Sequence, residues 1–325
     1  MDDLRLRPQP VEHRRGCRVS ASPVSRALRL LRRHLALVLV LLVTLVAVPG
    51  AGVRDAPVSL VKLRSTGAVD HPRDVVWILF LGSDARPGQS VTRSRADAIQ
   101  LTGVNLRTGA ATVIGVPRDS YVDIPGHGRE KINASMYFGG PQLMGRSVGN
   151  LVGVQPNYVM TAGFDGFRRM VDGIGGVTVD SRFSFSDPVR PQGYHVGPNK
   201  LTGFQAEIFA RIRKAFPRGD FDRSANQQDV LRGILRQVRL HVDEPGFMER
   251  GVLSVVRNLD TDLRPAELFR LAQAAATIDP ARMRGCVVLG GVGYAGAASV
   301  VFPDVARARR IGDDVRRDAT LDHGC

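Results

Sequence analysis

Val75-Val76-Trp77-Ile78-Leu79-Phe80-Leu81 is an unbroken apolar run of strand length that stops at Gly82-Ser83-Asp84. With no polar alternation it reads as a strand buried on both faces. Two further runs follow it. Ala98-Ile99-Gln100-Leu101-Thr102-Gly103-Val104 begins just after Asp97, and Ala111-Thr112-Val113-Ile114-Gly115-Val116 is stopped by Pro117. The turn composition of Asn105-Leu106-Arg107-Thr108-Gly109 makes these two runs a hairpin. If 75–81 pairs beside them in an up-down-up sense, the end of the first strand, the start of the second and the end of the third share one sheet edge. That edge carries Asp84, then Arg95 and Asp97, then Arg118 and Asp119.

Helices follow further along the chain. Phe167, Met170, Val171 and Ile174 are spaced i, i+3, i+4, i+7, and Gly175-Gly176 ends that pattern. Val177-Thr178-Val179 is a short strand. Thr202-Gly203-Phe204-Gln205 has the form of a capping box, opening a helix through about Ile212. Val230, Leu231, Ile234, Leu235 and Val238 mark another amphipathic helix. The class is therefore α/β, with a mixed central sheet flanked by helices in three layers (α-β-α).

Two motifs are decoys. Gly145-Arg146-Ser147-Val148-Gly149 fits a serine-hydrolase elbow, but the preceding 139–144 looks like a helix start where the elbow needs a strand. Gly291-Val292-Gly293-Tyr294-Ala295-Gly296 fits a dinucleotide fingerprint, yet Ala298 to Pro303 reads as a strand, so the segment is a glycine-rich hairpin. The sequence contains no phosphate-cradling P-loop, Cys-x-x-Cys pair or closely spaced His pair, which leaves zinc and nucleotide hydrolysis without support.

Composition decides the setting. The chain has 325 residues, 45 basic against 31 acidic, a net charge of +14 and 43% hydrophobic residues. It is too apolar to be disordered throughout, and at a mean hydropathy of −0.06 it is no polytopic membrane protein. The basic residues are 41 Arg and 4 Lys, and guanidinium forks suit phosphate or carboxylate. Residues 1–34 hold nine of those Arg against Asp2, Asp3 and Glu12, and residues 35–53 carry no charge at all. At about 1.5 Å per residue a helix over 35–53 crosses roughly the 30 Å hydrocarbon core. The expected organisation is a basic cytoplasmic tail (1–34), a single-pass anchor (35–53), a linker (54–73) and an extracytoplasmic domain (74–325). A cleaved signal peptide is the rival, weakened by Pro49 in the cleavage region. Outside the cell a basic protein meets no chromosome, so nucleic acid is excluded as partner in favour of lipid head groups, pyrophosphates and wall polymers. Cys286 and Cys325 would both lie where a disulfide persists.

The segment 210–228 is the most informative. Gln227 lies on the apolar side of its own helix, three, four and seven residues before Val230, Leu231 and Ile234, and Arg223 is four residues earlier. Both need buried partners. A structural ion pair from Arg223 to Asp220 or Asp222 accounts for the segment alone nearly as well as a binding role. Arginines without an adjacent nucleophile suggest gripping of phosphate, and aspartates among them suggest a hard divalent cation completed by substrate oxygens.

The order ILFLGSDAR (78–86), RADAI (95–99), GVPRDS (115–120), KINASMYFGGP (131–141), FDGFRRMVDGIGGVTVD (164–180), LTGFQAEIFARIRK (201–214) and GDFDRSANQQ (219–228) resembles the LytR-CpsA-Psr family. The resemblance implies a phosphotransferase that moves a glycopolymer of teichoic acid, capsule or arabinogalactan type from a polyprenyl-pyrophosphate carrier to peptidoglycan. It implies a location at the outer membrane face. By motif, Asp84 and Asp97 would hold Mg2+ (or Mn2+), and Arg95, Arg118, Arg211, Arg213 and Arg223 would grip the pyrophosphate. Asp220 and Gln227 would complete a catalytic set with Arg118 and Asp97. Two departures stand out: Asn226 where the family usually has Arg, and Glu207 where Leu is common. Arg211 and Arg213, two apart, reach one ligand only if the helix has ended there or the ligand straddles it. The alternatives are a non-catalytic lipid-pyrophosphate or wall-polymer binding protein, and a membrane-tethered regulator with its long domain inside the cell.

Overall fold

The computed structural model describes residues 57–63, 74–241, 259–264 and 278–325, with 244–245, 247, 267, 271 and 275. The expected tail and anchor, 1–53, lie outside the described residues. Among the described residues no helix is long and apolar enough to cross a membrane.

A seven-stranded sheet organises the domain. Its strands are β1 (Val58–Lys62), β2 (Val75–Ser83), β3 (Ala96–Asn105) and β4 (Ala111–Gly115). After the hairpin β5 (Tyr121–Ile124) and β6 (Gly128–Lys131) and helix α1 (Ala134–Val152) comes β7 (Tyr158–Ala162). Helix α2 (Phe164–Gly173), strands β8 (Val177–Ser181), β9 (Phe185–Asp187), β10 (Arg190–Tyr194) and β11 (Gly197–Leu201), and helices α3 (Gly203–Arg211) and α4 (Asp220–His241) follow. The chain returns through β12 (Leu259–Thr261), β13 (Met283–Val287), β14 (Gly290–Ala295), β15 (Ala298–Pro303) and α5 (Val305–Val315). The sheet order is β12-β1-β7-β2-β3-β4-β13. β2, β3 and β4 form the up-down-up meander that the apolar runs imply, and the parallel pairs β7–β2 and β4–β13 make the sheet mixed.

Both faces of β2 are buried, as its unbroken apolar run requires. Trp77, Leu79 and Leu81 pack with Met144, Val148 and Leu151 of α1 and Ile311 and Val315 of α5. Val76 and Ile78 join a second cluster with Leu60, Tyr158 and Leu263. Val104, Val113 and Met283 meet Leu231 and Leu235 of α4, so helices cover both sides. The segment 54–73 is not all linker, because Val58–Lys62 pair antiparallel with β7 and parallel with β12. That strand is short, and its apolar residues show no period of their own; it is sheet because β7 offers it a partner.

Several local expectations hold. The box at Thr202 is formed, with Gln205 N donating to Thr202 Oγ1 (3.3 Å) and Thr202 N to Gln205 Oε1 (3.2 Å). Gly175 and Gly176, at φ of 83° and 87°, end the α2 region in the left-handed conformation that glycine tolerates. Ser147 lies buried within α1 and donates to Leu143 O (2.9 Å), so it is no elbow nucleophile. The helix start at 139–144 is a kink at Gly139-Gly140 inside a longer helix that begins at Ala134. β14 and β15 form the glycine-rich hairpin. A disulfide joins Cys286 of β13 to Cys325.

Candidate active site

Strand register builds the rim where β2 and β4 end and β3 begins. Gly82 lies opposite Ala98 and Ser83 opposite Ala96, with a register shift between them. Just beyond, Asp84 N donates to Arg95 O (3.0 Å) and Arg95 N donates to Asp84 Oδ1 (2.9 Å). The chain leaves β4 through Val116, whose N–H donates to Ile99 O (3.0 Å), and two residues later Arg118 Nη1 donates to Asp97 Oδ1 (2.5 Å). Asp119 Oδ2 lies 3.8 Å from Arg118 Nε, and Lys131 Nζ is 3.0 Å from Asp119 Oδ1.

The first turns of α4 form the facing wall. Arg223 Nη2 donates to Asp220 Oδ2 (2.9 Å), and Arg213 Nη1 stands 3.6 Å from Asp220 Oδ1. Gln227 ties three elements together: its Oε1 accepts from Gln100 Nε2 of β3 (2.9 Å) and its Nε2 donates to Ala210 O of α3 (3.2 Å). Gln100 Nε2 also reaches Ser224 O and Oγ (3.1 Å each). A β-carbon at position 115 would stand 2.3 Å from Ser224 Oγ and displace that side chain. Its absence lets α4 lie directly on β4.

The two walls act on each other electrostatically. Burial works against the charge of Arg118, yet Asp97, with Asp119 and Asp220 behind it, holds that guanidinium above its ordinary value. Arg223 is 8% exposed; burial pushes its guanidinium down, Asp220 resists, and Arg118 adds to the depression. A buried guanidinium that feels a second one across the rim favours a bound anion with several oxygens.

Asp97, Arg118, Asp220, Arg223 and Arg213 thus form one interacting group, with Gln227 bracing α4 to β3 and α3 beside it and Asp84 and Arg95 at the adjoining strand ends. Arg211 is placed differently. It closes α3, where its Nη1 donates to Glu207 Oε1 (2.7 Å) and its guanidinium lies 4.4 Å from the Phe164 ring centre. Ile212 is extended, with ψ of 137°, so the helix has ended and Arg213 swings to Asp220. Glu207 is buried and also takes Arg168. Asn226 Oδ1 accepts from Arg182 Nη2 (3.0 Å). The sequence does not point to Gln100, Ser224 or Arg182. Gln100 carries a legible signal, an amide inside an otherwise apolar strand, where burial demands partners.

Among the described residues no group of three or more His, Cys, Asp or Glu could hold a metal ion. The donor chemistry still fits a hard divalent cation, since Asp84 and Asp97 offer carboxylate oxygens at adjoining strand ends. One or two carboxylates plus substrate phosphate is how Mg2+ is usually held.

The LytR_cpsA_psr family model matches residues 51–313. The chain belongs to the LytR_cpsA_psr family. Over 179 residues it is 37% identical to the polyisoprenyl-teichoic acid–peptidoglycan teichoic acid transferase TagU of Bacillus subtilis, covering 54% of this chain and 56% of that protein. It is 34% identical over 198 residues to the TagU of Bacillus anthracis, covering 60% and 62%. The chain thus spans less than two thirds of the length of these relatives. The crystal structure of B. subtilis TagU superposes with a TM-score of 0.58 at 27% identity, covering 78% of this chain and 99% of that one. TagT bound to LI-WTA superposes with a TM-score of 0.63 at 22% identity, covering 83% and 99%, a likeness of fold. Both agree with a mixed sheet flanked by helices.

Proposed function

We propose that this chain is a phosphotransferase that moves a glycopolymer of teichoic acid, capsule or arabinogalactan type from a polyprenyl-pyrophosphate carrier to peptidoglycan. One observation carries the reading: Arg118–Asp97 and Arg223–Asp220, drawn from distant parts of the chain, act on each other across one sheet rim. A diphosphate bound there accepts hydrogen bonds from Arg118 and Arg223, with Arg95 and Arg213 at the exposed margin and Arg211 at the end of α3. Gln227 fixes the distance between the walls through Gln100 and Ala210.

The acceptor hydroxyl oxygen forms a bond to the phosphorus that bears the glycan. The bond from that phosphorus to the bridging oxygen breaks, and polyprenyl phosphate leaves with the electron pair. The hydroxyl proton passes to Asp97 or Asp220, the two carboxylates of the rim. Negative charge spreads over the phosphoryl oxygens, where Arg118 and Arg223 stabilise it without reorganising. Mg2+ (or Mn2+) held by Asp84 and Asp97 would add neutralising charge at the same oxygens.

The reading places the domain at the outer face of the cell membrane, with residues 1–34 cytoplasmic and 35–53 as a single-pass anchor. The Cys286–Cys325 disulfide supports this placement, because such bonds persist in oxidising compartments. The test is an assay of the full-length chain on a prenyl-pyrophosphate-linked glycan with peptidoglycan and Mg2+. Release of prenyl phosphate coupled to a glycan–peptidoglycan adduct, lost in Arg118→Ala, is expected. Turnover indifferent to Arg118→Ala and Asp97→Ala overturns the assignment. The binding-protein alternative is favoured by Asn226, which holds Arg182 and adds no charge of its own to the rim. It predicts that the donor raises the melting temperature without any product.

A further inference from the structure

α4 presents two different sides near its start. Arg223 and Gln227 are separated by about one helical turn and face the rim, whereas Ala225, Asp229 and Arg232 lie on the opposite side. There they line a recess of about 280 Å3, walled by Arg182, Arg218, Leu289 and the Cys286–Cys325 disulfide. Arg182 directly follows β8, Arg218 comes from the α3–α4 connection and Arg232 from α4, so three guanidinium groups from three segments line a recess whose one acidic side chain is Asp229. β13, which lines the recess, pairs with β4 in parallel. β13 lies two strands from β3 in the sheet, roughly 10 Å at ordinary strand spacing.

The arginines are only partly occupied. Arg232 Nη1 donates to Asp229 Oδ1 (2.8 Å), and Arg182 Nε lies 3.4 Å from Asp229 Oδ2. Arg218 uses Nε and Nη2 on Asp222 Oδ1 (3.0 and 2.7 Å). A guanidinium has five N–H donors, so all three retain donors, and their side chains keep 41%, 58% and 27% exposure for Arg182, Arg218 and Arg232. A planar carboxylate is satisfied in its plane by one or two forks. Donors arriving from three directions match a tetrahedral oxyanion better.

We propose that this recess is a second anion site, separate from the rim, that takes a phosphate group. The group is free phosphate or a phosphodiester within a polymer chain. The site stands independently of turnover at the rim, since none of its arginines belongs to the rim group.

Calorimetry on the full-length chain tests it, with inorganic phosphate, a short poly(glycerol phosphate) and acetate as probes. In an Arg118→Ala background, which weakens the rim, phosphate is expected to keep one binding site. Adding Arg232→Gln, or Leu289→Glu, which leaves every arginine in place and inserts a carboxylate, is expected to weaken that site at least tenfold. Acetate at equal concentration is expected not to displace phosphate. Tighter binding of the oligomer than of free phosphate identifies a polymer diester as the ligand; the reverse identifies free phosphate. Loss of all phosphate binding in Arg118→Ala alone overturns the second site, as does binding untouched by both added substitutions. Equal displacement by acetate overturns the assignment to phosphate.

Discussion

Arg118 and Arg223 keep their charges by different means, and that difference sets what each substitution does. Arg118 is held by Asp97 at 2.5 Å and is 23% exposed, so part of its guanidinium is presented to substrate oxygens while the carboxylate fixes it. Arg223 is more deeply buried and held by Asp220. Under the proposed chemistry, Arg118→Ala lowers kcat by about 10²–10³, the usual cost of a lost charge-stabilising donor, measured by steady-state release of prenyl phosphate. Arg211→Ala, whose guanidinium is occupied by Glu207 and Phe164, is expected to cost less than tenfold in the same assay. Gly115 makes a prediction about stability. A methyl group there meets Ser224 Oγ at 2.3 Å, so Gly115→Ala should cost about 1–3 kcal/mol from overpacking, read from urea denaturation.

At the scale of elements, the meander β2–β3–β4 was legible because its apolar runs are long and its turn is short. Once those strands pair, Asp84, Arg95, Asp97 and Arg118 have nowhere to go but one rim. The start of α3 was legible in four letters, and Thr202→Ala should cost about 1 kcal/mol through the lost cap, measured by the same denaturation. β1 was hidden because five residues carry too little pattern and their partner is about a hundred residues further on, Lys62 pairing with Tyr158 and Val58 with Ala162. The separate fate of Arg211 was hidden too, because it depends on where the helix ends and on Glu207 lying inside. Tyr194 offers a check on the packing of β10 against α3. Burial, aided by Asp187, raises its hydroxyl from 10.0 to about 12, and the hydroxyl donates to Gln205 O (2.9 Å). The protonated form is the one folding favours, so its contribution is complete below pH 10 and is lost as pH rises towards 12. A fall in melting temperature across that window, reduced in Tyr194→Phe, is the expected result.

Across the whole molecule, the sheet brings together segments that no local pattern links. α4 is the shared wall: one side closes the rim and the other closes the arginine-lined recess. The disulfide fastens Cys325 to the last strand of the sheet across 39 residues, a loop whose closure is worth about 4 kcal/mol in the chain-entropy account. Cys325→Ser should lower unfolding free energy by up to that amount, and reducing agent should have no further effect on the variant. Membership of the LytR_cpsA_psr family rests on residues 51–313, which take in both walls of the rim. The central claim is that these walls seize a diphosphate. Calorimetric titration of the full-length chain with farnesyl pyrophosphate, against an Arg118→Ala/Arg223→Ala variant of equal helix content, tests it most directly. The account predicts at least a hundredfold loss of affinity in the variant, and affinities within threefold of each other would contradict it.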